Sequence, residues 1–152
     1  MKVLPKNIAI RGSYTAMMAH YTESSGLQVS DGKMVPGIPS AQLYFDIGWR
    51  SVDWLTKPKM SYSEVGVDYR VVGKMYANSS NWESADGYQL LGLRAAHTFK
   101  NGSHSFTLFG RVDNLLDKTY VSSLVVEQSS GRYYEPGMPR NWIIGAKYVW
   151  AM

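Results

Sequence analysis

Residues 110–121 read GRVDNLLDKTYV. Arg111 and Asp113 are charged, yet they alternate with Gly110, Val112 and the residues around Phe109 and Leu115. Asn114 and Asp117 are poor strand formers, and both fall inside what otherwise reads as a strand. Taken at period two, the stretch belongs to a strand over residues 104–121. Phe106, Leu108, Val112, Leu116 and Tyr120 share one face, and Thr107, Arg111, Asp113, Asp117 and Thr119 share the other. Asn114 is then the one polar residue on the apolar face.

The same alternation runs through most of the chain. In residues 62–76, YSEVGVDYRVVGKMY, the odd positions hold Ser63, Val65, Val67, Tyr69, Val71, Gly73 and Met75, while the even ones include Glu64, Asp68, Arg70 and Lys74. In AQLYFDIGWR, Ala41, Leu43, Phe45, Ile47 and Trp49 oppose Gln42, Asp46 and Arg50. Leu91, Leu93, Ala95 and Phe99 oppose Arg94, and Trp142, Ile144, Ala146, Tyr148 and Trp150 oppose Asn141 and Lys147. A looser stretch places Ile8, Ile10, Tyr14 and Met18 against Asn7, Arg11, Ser13 and Thr15. The pattern predicts an all-β fold, an antiparallel meander of about six amphipathic strands near residues 8–21, 41–50, 61–77, 87–99, 104–121 and 141–151. The connections differ in kind. TESSGLQVSDGKMVPGIPS, NSSNWESAD and SSLVVEQSSGRYYEPGMPR are long or polar, SVDWLTKPKM is shorter, and KNGSH is a tight hairpin turn with an Asn-Gly pair. A further hairpin is expected at Ser129-Ser130-Gly131.

Composition narrows the chemistry. The 152 residues carry a net charge of +4 and no cysteine, which excludes disulfides and thiolate metal sites. No apolar run approaches the roughly 18 residues of a membrane helix, and MKVLPKNIAI lacks the features of a secretory signal. His20, His97 and His104 form no metal-ligand spacing with carboxylates, so no metal or cofactor is expected. No nucleophile motif or phosphate-binding glycine loop points to an enzyme. Lysines and arginines are interspersed with acids, unlike a nucleic-acid-binding patch.

Amphipathic strands leave open which face meets which solvent. In a soluble barrel the apolar face points inward; in a membrane barrel it meets lipid and the polar face lines the lumen. With the long loops on one side, three strands end at the short-turn side with an aromatic on the apolar face: Trp49, Phe99 and Trp150. Tyr120 and Trp142 lie near the opposite end. Such positions suit interface belts, although aromatics also favour strands in general. Glu64, Asp68, Arg70, Lys74, Arg94, Arg111, Asp113 and Lys147 are then lumen-facing. Asn114 would sit late in its strand, near the boundary where a polar group facing lipid costs little.

The motifs resemble those of TonB-dependent outer-membrane receptors. Asn114, Leu115, Leu116, Asp117, Lys118 and Tyr120 match the family's penultimate-strand pattern of Asn-Leu-(Phe or Leu)-Asp-(Lys or Arg)-x-Tyr. SYTAMMAHY with DGKMVPGIPS resembles its strand, Gly-x-x-x-Pro-Gly-x-Pro loop and next strand. YANSSNW suits a later loop, and GRYYEPGMPRNWIIGAKYVW resembles the last loop and strand. The resemblance covers nearly the whole chain and implies that residues 1–152 are the C-terminal portion of a transmembrane β-barrel, without the plug domain or signal peptide of a complete receptor. It departs at the end, where Ala151 and Met152 follow Trp150 and the family usually closes on an aromatic; this bears on how efficiently the barrel assembles. The implied activity is import of ferric siderophores or similar large metal chelates across the outer membrane. The implied partners are outer-membrane lipid, the rest of the barrel and plug, and TonB through the N-terminal part. Trp82, Arg132, Tyr133, Tyr134 and Arg140 are the candidate ligand-contacting loop residues, Arg132 and Tyr133 having the plainer alternative of packing a hairpin tip. Two other readings stay open from the residues alone: a small outer-membrane barrel of structural or adhesive role, and a soluble lipocalin-like ligand-binding barrel.

Overall fold

The computed structural model describes residues 7–22, 32–51 and 60–151. Most of SVDWLTKPKM and the middle of the first long loop lie outside the described residues. The described elements are all strands: β1 (Ile8–Ala16), β2 (Ala41–Arg50), β3 (Tyr62–Val72), β4 (Met75–Tyr76), β5 (Ser84–Ala85), β6 (Tyr88–Asn101), β7 (His104–Asp113), β8 (Val121–Leu124), β9 (Tyr134–Pro136) and β10 (Asn141–Trp150). Six of them form one antiparallel meander in the order β1-β2-β3-β6-β7-β10. The other four pair as short ribbons, β4 with β5 and β8 with β9. The β8–β9 ribbon is the expected extra hairpin; its turn is closed by the Gly131 amide donating to the Gln128 carbonyl at 3.2 Å.

Pairing fixes the two ends of the sheet. Ala16 lies opposite Ala41, Val72 opposite Tyr88, and Asp113 opposite Asn141, so the three long connections emerge at one end. The β6–β7 turn lies at the other. It also fixes the faces. Arg11 faces Asp46, Asp46 faces Asp68, Asp68 faces Gly92, and Arg94 faces Arg111, which puts all of them on one side.

The sheet has no apolar core. Asp46 is 1 % exposed and Asp68 5 %, whereas Ile144 is 74 % and Trp142 69 % exposed. Phe45, Ile47, Trp49, Val65, Val67, Leu93, Phe99, Phe106, Leu108, Tyr148 and Trp150 are exposed as well, and each shares the face opposite Asp46. A water-borne domain buries such residues; here the polar face is the covered one. The buried apolar residues collect instead where the loops leave the sheet: Val72, Met75, Ala77 and Ala85, with Pro36 and Pro39 beside them.

Four expectations change. The strand through residues 104–121 stops at Asp113. Asn114 and Asp117 take the left-handed conformation, with φ of 50° and 53°, which Asn and Asp tolerate better than other side chains. They are turn residues, not tolerated intruders in a strand. Asn114 does not face lipid; it is 3 % exposed. Its amide donates to the Lys118 carbonyl at 2.8 Å and the Met138 carbonyl at 3.2 Å, and its Oδ1 accepts from the Lys118 amide at 2.9 Å. The turn also breaks the parity that placed Tyr120 in an interface belt. Its ring lies 4.4 Å from that of Tyr88, which is on the polar face. Lys74 is not on the strand wall either: β3 ends at Val72, and the Lys74 ammonium lies in the connection over the Tyr76 ring at 4.8 Å.

Asn114→Ala should cost about 1–3 kcal/mol, since it removes the three hydrogen bonds that the buried Asn114 side chain makes to backbone groups and puts at positive φ a residue that tolerates it less well than Asn. The loss would appear as a lower midpoint for the heat-induced shift of the folded band on gels, with faster proteolysis between residues 118 and 138. Wild-type behaviour of the alanine variant would show that the turn is held by something else.

Candidate functional site

On the polar face the charges form a ladder across five strands. Asp46 on β2 accepts from Arg11 Nε on β1 at 3.3 Å and from Arg94 Nη1 on β6 at 2.5 Å. Arg94 Nη1 also lies 3.8 Å from Asp68 Oδ1 on β3. Arg111 on β7 reaches both oxygens of Asp68, at 3.2 Å to Oδ2 with hydrogen-bond geometry and at 3.0 Å to Oδ1 off the hydrogen-bond line. Its Nε donates to Asp113 Oδ1 at 2.8 Å. The register sets Asp46 against Asp68 and Arg94 against Arg111, but the ion pairs run Arg11–Asp46–Arg94–Asp68–Arg111–Asp113, so each carboxylate has a guanidinium beside it. Nearer the short-turn end, Arg50 Nε donates to Glu64 Oε1 at 2.7 Å and the Arg50 guanidinium lies over the Tyr62 ring at 4.7 Å.

Glycines make room for this. A β-carbon at Gly66 would meet Arg94 Cζ at 2.4 Å, and one at Gly92 would meet Asp68 Oδ2 at 2.6 Å. The guanidinium and the carboxylate therefore lie flat on bare backbone, which lets side chains from non-adjacent strands meet. Arg11, Arg50, Glu64, Arg94, Arg111 and Ile143 line one hollow of about 670 Å³. Those residues come from all six strands of the sheet, edge strands included, so the sheet curls toward its polar face.

The apolar face carries aromatics at both ends, with Phe45 and Tyr69 paired between them. Trp49, Phe99 and Trp150 lie on it toward the β6–β7 turn, and Trp142 lies at the loop end. Near the turn, Ser63 Oγ meets His97 Nδ1 at 2.8 Å and His104 Nδ1 meets the Tyr148 hydroxyl at 2.6 Å. These four polar side chains on the apolar face are thus paired with one another.

The loops are joined. The Asn81 side chain pairs with the Met34 backbone in both directions, at 2.7 and 2.8 Å. The Gly37 amide donates to the Tyr76 carbonyl at 2.8 Å, and the Glu127 amide to the Ala77 carbonyl at 2.9 Å. The Tyr134 hydroxyl donates to Glu83 Oε2 at 2.6 Å. That bond to a carboxylate pushes the phenol above its ordinary pKa.

A family profile described as TonB dependent receptor-like, beta-barrel matches residues 7–115. The chain belongs to that family. Among solved structures it is similar to the ferric preacinetobactin receptor BauA from Acinetobacter baumannii, with a TM-score of 0.77 and 20% identity over 95% of this chain and 20% of that receptor. It is also similar to the ferric-catecholate import receptor Fiu from K12 E. coli, with a TM-score of 0.65 and 21% identity over 96% of this chain and 19% of that receptor. The chain spans about a fifth of the length of each. At these identities the likeness concerns the fold: a stretch of receptor barrel, in an antiparallel meander.

Within this barrel segment, Glu64, Arg94, Arg111, Asp68 and Asp113 are brought together on the hollow side. Arg70 and Lys147 share that face by register but lie outside the ladder. Trp82 is exposed at the tip of the β4–β5 connection, and Tyr134 on β9 is linked to it through the neighbouring Glu83. The Tyr133 and Tyr134 rings lie 6.4 Å apart. Arg132 is exposed at the hairpin tip. Arg140 is turned back to Asp117, at 3.7 Å between charges, while its backbone amide donates to the same carboxylate at 2.8 Å. Sequence reasoning missed the importance of Asp46, the most covered side chain of the sheet. Its polar parity was visible; its two arginines, 35 and 48 residues away, were not.

Asp46→Ala should lower stability by about 1–3 kcal/mol. That is below the range for breaking a fully buried pair, because Arg94 and Arg11 stay partly wet. Asp46→Asn should lose less, because the amide still accepts a hydrogen bond. The midpoint of the heat-induced gel shift measures both. On the opposite face, Val67→Arg at the centre of β3 should cost roughly 2–4 kcal/mol in a bilayer. It would show as loss of the folded band during assembly into lipid, and an intact folded band would contradict the assignment of faces.

Proposed function

We propose that this chain forms the closing wall and part of the extracellular mouth of an outer-membrane receptor that imports ferric siderophores or a similar large metal chelate. The observation that carries the reading is the inverted distribution of polarity. Apolar side chains cover the outer face, and a neutralised ladder of charges lines the inner one. Lipid outside and water within suit that arrangement. Both edge strands, β1 and β10, pair on one side only among the described residues, and open edges are not viable in lipid. The wall therefore closes against further strands of a larger barrel, which favours the receptor over a small barrel complete in itself.

In this role Glu64, Asp68, Arg70, Arg94, Arg111, Asp113 and Lys147 present a hydrated wall to the lumen, and Trp49, Phe99, Trp142 and Trp150 meet the lipid interfaces. Trp82, Arg132, Tyr133, Tyr134 and Arg140 supply ring faces, cations and a protonated phenol to a chelate arriving at the mouth. The plug, and TonB acting through the N-terminal part of such a receptor, supply gating and energy. Arginine favours an anionic chelate through charge-assisted hydrogen bonds.

The test is iron-limited growth of a strain that depends on the receptor carrying this chain, supplied in turn with catecholate, hydroxamate and carboxylate ferric chelates. One class should restore growth, and Trp82→Ala should weaken binding of that chelate about tenfold, near 1.4 kcal/mol, in fluorescence titrations. Failure of every class would refute iron import.

A further inference from the structure

Among the described residues five arginines stand on the polar face: Arg11, Arg50, Arg70, Arg94 and Arg111. Four of them have a carboxylate within ion-pairing distance: Arg11 and Arg94 on Asp46, Arg50 on Glu64, and Arg111 on Asp68 and Asp113. Arg70 has none among the described residues, and it is exposed.

The register explains why. Across the sheet Arg70 faces Tyr44 on one side and Leu90 on the other. The nearest acid on its own strand, Asp68, is two residues on, about 7 Å along the strand. That carboxylate is already held by Arg111 at 3.0 Å and lies 3.8 Å from Arg94. Arg70 opens instead on a separate recess of about 310 Å³ that it shares with Ser13, Thr15, Gln42, Tyr44 and Tyr88. Every polar side chain there is a hydroxyl, a phenol or an amide. Each can donate a hydrogen bond, and among the described residues no carboxylate lines the recess.

Position adds direction. The rows of the polar face run inward from the loop end as Thr15, Gln42, Val72 and Tyr88; then Ser13, Tyr44, Arg70 and Leu90; then Arg11, Asp46, Asp68 and Gly92. A solute entering between the loops meets Arg70 before it meets the neutralised ladder. An exposed guanidinium with donors around it and no counter-charge is a receptor for an oxyanion.

We propose that Arg70, with Thr15, Gln42 and Tyr44, forms an anion station that takes a negatively charged oxygen group of the entering solute. The identity of that solute rests on the import reading; the local excess of positive charge does not.

The test uses the receptor that carries this chain, in outer-membrane vesicles, with Ser13→Cys as reporter, since residue 13 lies opposite Tyr44 in the same row as Arg70. Rates of modification by anionic sulfonatoethyl and cationic trimethylammonioethyl methanethiosulfonates are compared at low salt. The ratio should favour the anionic reagent, fall about tenfold in Arg70→Gln, persist in Arg70→Lys, and shrink at high salt. Heat-modifiable mobility confirms that each variant is assembled. Free citrate should slow modification by the uncharged methyl reagent in the Arg70 protein and not in Arg70→Gln. A ratio unchanged by Arg70→Gln would mean that an acidic group elsewhere in the receptor already neutralises Arg70, and would overturn the proposal. Citrate protection that is absent, or equal in both proteins, would overturn it as well. Growth on ferric chelates is scored separately, so loss of the import reading and loss of the anion station give different results.

Discussion

Charge neutralisation on a covered polar face is the condition on which the rest of this sheet depends. Once the apolar side chains point outward, the crowded side of the sheet is the one that carries Asp46 and Asp68. A carboxylate taken from water without a counter-charge is costly. Arg11, Arg94 and Arg111 supply that counter-charge from other strands, and this explains why bare glycine backbone lies beneath them at residues 66 and 92. The pairs contribute modestly to stability where water reaches them. Their larger effect is on arrangement, since each carboxylate accepts only the register that brings its arginines near.

Much of the fold was legible in the sequence, because period-two alternation is a direct imprint of the strand pleat. β2 and β10 lie where the pattern put them, and the short-turn end collects Trp49, Phe99 and Trp150 as the pattern implied. The strand ends were less legible. Asn and Asp weaken a strand and also tolerate positive φ, and a sequence does not say which property is in use. At Asn114 and Asp117 it is the second, so the parity counted through to Tyr120 failed. Lys74 failed for a related reason: alternation continues past Val72 into a two-residue ribbon that no longer belongs to the sheet.

The candidate site divides in the same way. Which residues share the polar face of the sheet follows from parity wherever the strand continues, which it does not at Lys74. Which of them touch follows from register, and apart from the tight β6–β7 turn register here is set by long connections whose lengths the eye cannot convert into pairings. Asp46 was therefore visible as a polar position and invisible as the centre of a network. Asn81, a loop asparagine in an ordinary polar stretch, gave no sign that it would join two connections.

That joint has a thermodynamic consequence. Flexible loops that close on a solute lose conformational freedom with every binding event, and that loss is subtracted from affinity. Here Met34, Tyr76, Ala77 and Glu83 are already tied to residues of other loops, over a small buried cluster of Val72, Met75, Ala77 and Ala85. Their ordering entropy is spent once, when the chain folds. What remains to be ordered on binding is the set of exposed side chains that stand on the joined backbone, Trp82 and Arg132 among them.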